Sequence, residues 1–228
     1  MRVRIFSVLS MATLALMFVA QANEARADVI FSNFGAGQTY NGAAWWDVGG
    51  VPGAASQADA FSFTPTQTSV LTGADLALAG SSASISPLNV YIESSSMGAP
   101  GAILDTLTQS GSYSAYPTTT VVNFACSGSC TTLDAGTEYW IVATQTVSTN
   151  LALWLRNNTG DSGTWFFNGS NSSTGPWTQA ATTNGTDFGA FDVTGTATPA
   201  VPEPASLALL GSGLVGIVAV ARRRAWRL

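Results

Sequence analysis

The chain has no histidine among its 228 residues, and that absence limits its chemistry more than any motif present. It removes Ser-His-Asp and Cys-His nucleophilic sites, imidazole general bases and histidine-rich metal centres. No glycine-rich phosphate loop ends in lysine, because the sequence has no lysine. Any hydrolytic chemistry must therefore run on carboxylates, a pair of which can cleave a glycosidic bond. Glu93 and Glu138 are the only glutamates between residues 28 and 200. Their spacing singles out no pair, so solvated surface carboxylates are the expectation for these acids.

Two other side-chain sets bear on binding. Trp45 and Trp46 sit beside glycines in "AAWWDVGG", in an expected loop or edge, and Trp165 and Trp177 flank an Asn/Ser-rich stretch. Exposed tryptophan faces can stack on sugar rings while Asp, Asn and Gln bond the hydroxyls. Packing is the competing role: adjacent strand residues point to opposite faces, so at most one of Trp45 and Trp46 need be buried. The segments "NTGDSG" and "TNGTDFGAFD" offer Asp161, Asp187 and Asp192 among carbonyl-rich loops, which makes calcium a candidate ligand, against plain Asx turns. No calcium-binding repeat is present, and the identity of any metal stays open.

Cys126 and Cys130 form "CSGSC". In an oxidising compartment such a pair is a natural disulfide, and its small loop mainly pins a turn. Redox-active pairs are more usually Cys-x-x-Cys, and a zinc site needs more ligands than this chain offers.

These residues need a scaffold. Short runs of β-formers alternate with Gly, Ser, Asn and Pro, and no long stretch has helical periodicity. In "LNVYIE" Leu88, Val90 and Ile92 should face a core and Asn89, Tyr91 and Glu93 the other side. "TEYWIVAT" is apolar on both faces and predicts a central strand. "LALWLRN" predicts Leu151, Leu153 and Leu155 inward with Trp154 opposite, and "GTWFFNG" puts Trp165 and Phe167 on one side. Further strands are predicted over 29–34, 57–63, 69–79, 102–108, 119–125 and 188–194. About ten short strands predict an all-β fold, a jelly-roll-like β-sandwich. Asn-x-Ser/Thr triplets at Asn157, Asn168, Asn171 and Asn184 are read as incidental.

The two ends carry an address. Arg2 and Arg4, a short apolar run and Ala25-Arg26-Ala27 predict an N-terminal signal peptide over 1–27, cut before Asp28; the alternative is a retained anchor. Residues 205–221 are uncharged and almost wholly apolar, and as a helix would span about 25 Å, the short end of a transmembrane helix. Arg222, Arg223, Arg224 and Arg227 follow and hold that end in the cytoplasm. Pro199, Pro202 and Pro204 make the preceding stretch an extended spacer. Between the ends, residues 28–198 form one predicted domain. Over 28–200 the single Arg156 stands against eleven acids, a net −10. Nucleic-acid binding, which needs a basic footprint, is excluded.

"VPEP" at Val201, Pro202, Glu203 and Pro204, then the apolar span, then the Arg cluster resemble the PEP-CTERM protein-sorting signal over residues 199–228. The resemblance implies a bacterium with a Gram-negative-type envelope, often one that makes extracellular polysaccharide. It also implies an exosortase partner that recognises Pro202, Glu203 and Pro204 and cuts nearby; a plain tail anchor is the alternative. A second resemblance covers residues 57–145. "ADAFSFT", "LNVYIESSSMGAPGAILDTLTQ" and "TTLDAGTEYWIVAT" are similar to bacterial choice-of-anchor β-sandwich domains. That implies fold and location and brings no catalytic residues. The expectation is an exported inner-membrane precursor sorted to the cell surface or matrix, structural or adhesive, with exopolysaccharide as ligand and no enzymatic activity. The alternative is a carboxylate-dependent glycan hydrolase.

Overall fold

The computed structural model describes residues 27–50, 57–82, 86–145, 150–180 and 187–198. The expectations for the signal peptide, the span over 205–221 and the sorting residues fall almost wholly outside them.

Among the described residues thirteen strands form one antiparallel sheet: β1 (Ala27–Ser32), β2 (Asn41–Gly49), β3 (Ala58–Phe63), β4 (Ser69–Gly80), β5 (Leu88–Ser96), β6 (Ala99–Ser110), β7 (Thr120–Cys126), β8 (Thr132–Leu133), β9 (Tyr139–Gln145), β10 (Leu151–Arg156), β11 (Trp165–Asn168), β12 (Thr178–Gln179) and β13 (Phe191–Ala197). No helix occurs among the described residues. The main path runs β1-β13-β4-β7-β6-β5-β9-β3-β11-β12. β4 also pairs with β8 and β10, and β10 carries β2 as an edge.

The sheet curls on itself because its apolar faces must meet. Long β6 is the corner: its first part pairs with β5 and its last residues, Leu107 to Ser110, with β7. Phe61 and Phe63 of β3 then meet Trp154 of β10, Phe191 of β13 and Phe31 of β1, with ring centroids 4.8, 6.2 and 5.7 Å apart. These rings centre the main core, joined by Leu76, Leu78, Ile92, Phe124 and Ile141. A backbone bridge from Gly49 to Gln57 ties edge strand β2 back to the entry of β3.

The predicted inward set Leu88, Val90 and Ile92 lies in that core, and β9 is buried along its whole length. β10 is a correction. Trp154 points into the main core, while Leu155 packs on the reverse side with Phe34, Ala77 and Ala190. Both faces of β10 are apolar, so alternation alone could not orient it; the larger ring takes the deeper side. Its indole Nε1 donates to Ala190 O at 3.0 Å, and a Cβ on Gly189 would lie 2.6 Å from the ring, so glycine lets the backbone approach.

Candidate functional site

The four candidate tryptophans occupy three places. Trp46 and Trp165 come together on the core side, centroids 4.3 Å apart and tilted by 47°. Trp46 Nε1 donates to Asp187 O at 3.0 Å, and the Arg156 guanidinium lies 4.1 Å from the Trp46 ring centre. The single cation of the domain is thus spent on an internal cation–π contact.

Trp45, one residue away on β2, points to the opposite face. There it packs on the small cluster of Phe34, Ala77, Leu155 and Ala190 and tilts against Tyr116, centroids 5.1 Å apart. Tyr116 is 42% exposed, and nearby Tyr40 donates its hydroxyl to Thr119 Oγ1 at 2.9 Å. Trp45 and Tyr116 therefore make a half-open aromatic surface that Trp46 does not share. Trp177 lies on the outer face of the other layer, against Trp140, Phe166, Val142 and Ala60.

The carboxylates correct the expectation of a uniformly solvated set. Glu93 is 0% exposed, and neither of its carboxyl oxygens has a hydrogen-bond partner. Burial pushes its pKa up to about 8, so it is protonated at neutral pH. The cause is a second apolar cluster on the outer face, where Glu93 stands opposite Trp140 in the β5–β9 ladder. Glu138 stays at the surface and accepts from Ser95 Oγ.

Asp192 and Asp75 stand opposite each other on β13 and β4. Gln38 Nε2 reaches both, at 3.2 and 3.3 Å, and Asp75 N–H donates to Asp192 Oδ1. Burial and then the Asp75 charge raise Asp192 to about 6. A carboxyl of raised pKa beside a second carboxyl is an arrangement that acid–base hydrolysis uses. Here, however, Asp192 is only 3% exposed and both of its oxygens are bonded within the fold.

Of the acids considered for calcium, Asp161 Oδ2 accepts from Asn33 at 3.3 Å, and its carbonyl accepts from Asn157 Nδ2. Asp187 lies beside it through the Ser162–Asp187 bridge, while Asp192 is committed to β4. Among the described residues no three His, Cys, Asp or Glu side chains converge on a metal position. Asn157 and Asn168 are buried; Asn157 Nδ2 donates to Asp161 O in its own loop and to Phe188 O, and Asn168 Nδ2 donates to Ser172 O, so both side chains have a structural role.

Cys126 and Cys130 are disulfide-bonded, as expected. The bridge joins the end of β7 to the approach to β8, where Thr131 N–H donates to Asp105 Oδ2 at 2.8 Å. The buried state of Asp59 and Gln145 had no sequence signal beyond their flanking β-formers.

Comparison with known proteins bears on the chain's end. No curated protein and no solved structure matches the chain. Residues 200–224 match the PEP-CTERM protein-sorting motif, which spans Val201 to Pro204 and the first three arginines of the cluster. That motif implies exosortase-dependent processing of a membrane-anchored precursor for the cell surface.

Proposed function

We propose that this chain is a structural and adhesive protein of the bacterial surface or extracellular matrix, without enzymatic activity, whose β domain holds exopolysaccharide. The sorting motif at residues 200–224 carries the reading. A signal peptide over 1–27 exports the domain. The apolar run 205–221, read as a transmembrane segment, and Arg222, Arg223, Arg224 and Arg227 hold the precursor in the inner membrane until exosortase acts at Pro202-Glu203-Pro204. The facing layers of the curled sheet support a jelly-roll-like sandwich related to choice-of-anchor domains.

The weakly charged, acidic domain suits packing among neutral glycans. Trp45 and Tyr116 supply the stacking surface, since Trp46 and Trp165 pack inward and Trp177 lies on another face. The burial and internal bonding of Asp192 speak against the hydrolase alternative. The test is a binding isotherm of the purified protein on the host's own exopolysaccharide. Saturable binding that falls about tenfold or more in Trp45→Ala and Tyr116→Ala supports the reading, since losing one stacking partner costs on the order of 1–2 kcal/mol. No binding at millimolar sugar sinks it.

A further inference from the structure

At the end of the sheet where β2 meets β3 and β9, two buried acceptor oxygens have nothing to accept from. Asp59 is 0% exposed; Gln57 Nε2 donates to its Oδ1 at 3.1 Å, and its Oδ2 has no partner. Gln145 is 3% exposed, and its Oε1 has no partner either. The far end of that amide fixes its orientation. Gln145 Nε2 donates to Ser86 O at 3.3 Å, beside the Tyr113 hydroxyl, which donates to the same oxygen at 2.8 Å. Turning the amide over would set its oxygen against another acceptor. A bare acceptor in a core has given up water and gained nothing, and a charged one loses most.

Both side chains face the core from neighbouring strands. Asp59 stands opposite Ala143 in the β3–β9 ladder, and Gln145 lies two residues further along the same side of β9. Such diagonal neighbours are about 7–8 Å apart at the backbone, within reach of their side chains. Gly49, the last residue of β2, joins them. It exchanges both backbone hydrogen bonds, at 2.8 and 2.9 Å, with Gln57, whose side chain holds Asp59. A Cβ on Gly49 would collide with Gln145 Oε1, and its φ of +94° also favours glycine.

We propose that Asp59 is a neutral acid in the native domain, that its Oδ2–H donates to Gln145 Oε1, and that this proton latches the end of edge strand β2 to the β3–β9 layer and releases it as pH rises. Two acceptors cannot bond each other without a hydrogen, and one proton satisfies both. The groups around the pair favour the neutral form. Burial holds the Asp59 carboxyl well above the usual carboxylate range, and the charge of Asp47, exposed on the Trp45 face of β2, adds to it. Burial likewise raises the Tyr113 phenol, which stays neutral beside Gln145. The cation of the domain, Arg156, is stacked on Trp46. Because the folded pKa lies above the ordinary 3.8, the latch stabilises fully below about pH 3.8 and is lost as pH rises through the folded value. Between those limits opening releases a proton, so the opening constant rises about tenfold per pH unit. The latch does not depend on polysaccharide binding.

The test is hydrogen exchange of the full-length chain in detergent, followed at the Gly49 and Gln57 amides, with infrared difference spectra of wild type minus Asp59→Asn. That variant keeps the bond, since Nδ2–H replaces Oδ2–H, and removes the titration. The expected result is wild-type protection at both amides that falls about tenfold per pH unit through the neutral range. In Asp59→Asn that fall is lost at these two amides, while the slopes that Glu93 and Asp192 give the rest of the domain remain. The difference spectrum should show the carbonyl band of a protonated carboxyl at neutral pH, and the band should shift when Gln145→Met removes its acceptor. Wild-type protection that does not change with pH, carboxylate bands alone at neutral pH, or a band unmoved by Gln145→Met overturns the latch.

Discussion

Glu93 shows how far local pattern reaches at the scale of one residue. Alternation correctly turned Leu88, Val90 and Ile92 to the core and Glu93 away from it. It could not show that the far face is also covered, since Trp140, Phe166 and Val142 arrive there from other strands. The consequence is a pH dependence with a definite sign. Its folded pKa of about 8 exceeds the ordinary 4.5, so the native state holds the proton more tightly. Glu93 therefore stabilises fully below about pH 4.5, and that contribution is lost as pH rises through 8. Asp192 adds a slope of the same sign up to about pH 6. Glu93→Gln should flatten the fall in Tm between pH 6 and 8 and raise Tm at pH 8; an unchanged slope would place the wild-type carboxylate in water. Trp45 and Trp46 separate by the same means. Trp46→Ala should cost about 3 kcal/mol in urea unfolding, because it empties the contact with Trp165 and Arg156. Trp45→Ala should cost less in stability and more in polysaccharide affinity.

At the scale of elements, the strands legible in the sequence were those with sustained β-formers. β4, β5, β7, β9 and β10 lie within a few residues of their predicted spans. β8 and β12 have two residues each, too short for any period to register. β2 was expected as loop or edge and is an edge strand, paired along its length only with β10. Its Gly42 and Gly49 masked a nine-residue strand whose order comes from that partner. The disulfide was legible because its pairing is local. Its loop is short, so replacing both Cys126 and Cys130 by Ser should lower stability by only about 2 kcal/mol and leave the fold intact. Loss of cooperative unfolding in the double variant would show that the bridge does more than pin the turn between β7 and β8.

At the scale of the whole molecule, destination was more legible than activity. The sorting signal is a linear pattern, "VPEP", apolar span and arginines, and it matched as read. The aromatic site was only half legible, because which tryptophans stay open depends on how the sheet curls. Trp165 is drawn inward by Phe61 and Trp46, whereas Trp45 meets Tyr116 from a distant loop. The carboxylates that the fold buries, Asp59, Glu93 and Asp192, were illegible for the same reason. On the proposed function, the domain leaves the membrane by cleavage at its own tail. Mass spectrometry of the protein from the host's surface and extracellular fractions tests it most directly. The predicted result is a mature C-terminus close to Pro202–Pro204, without Arg222 to Leu228, and a longer, membrane-retained precursor in Glu203→Ala. An intact tail through Leu228 on the wild-type surface protein would contradict it.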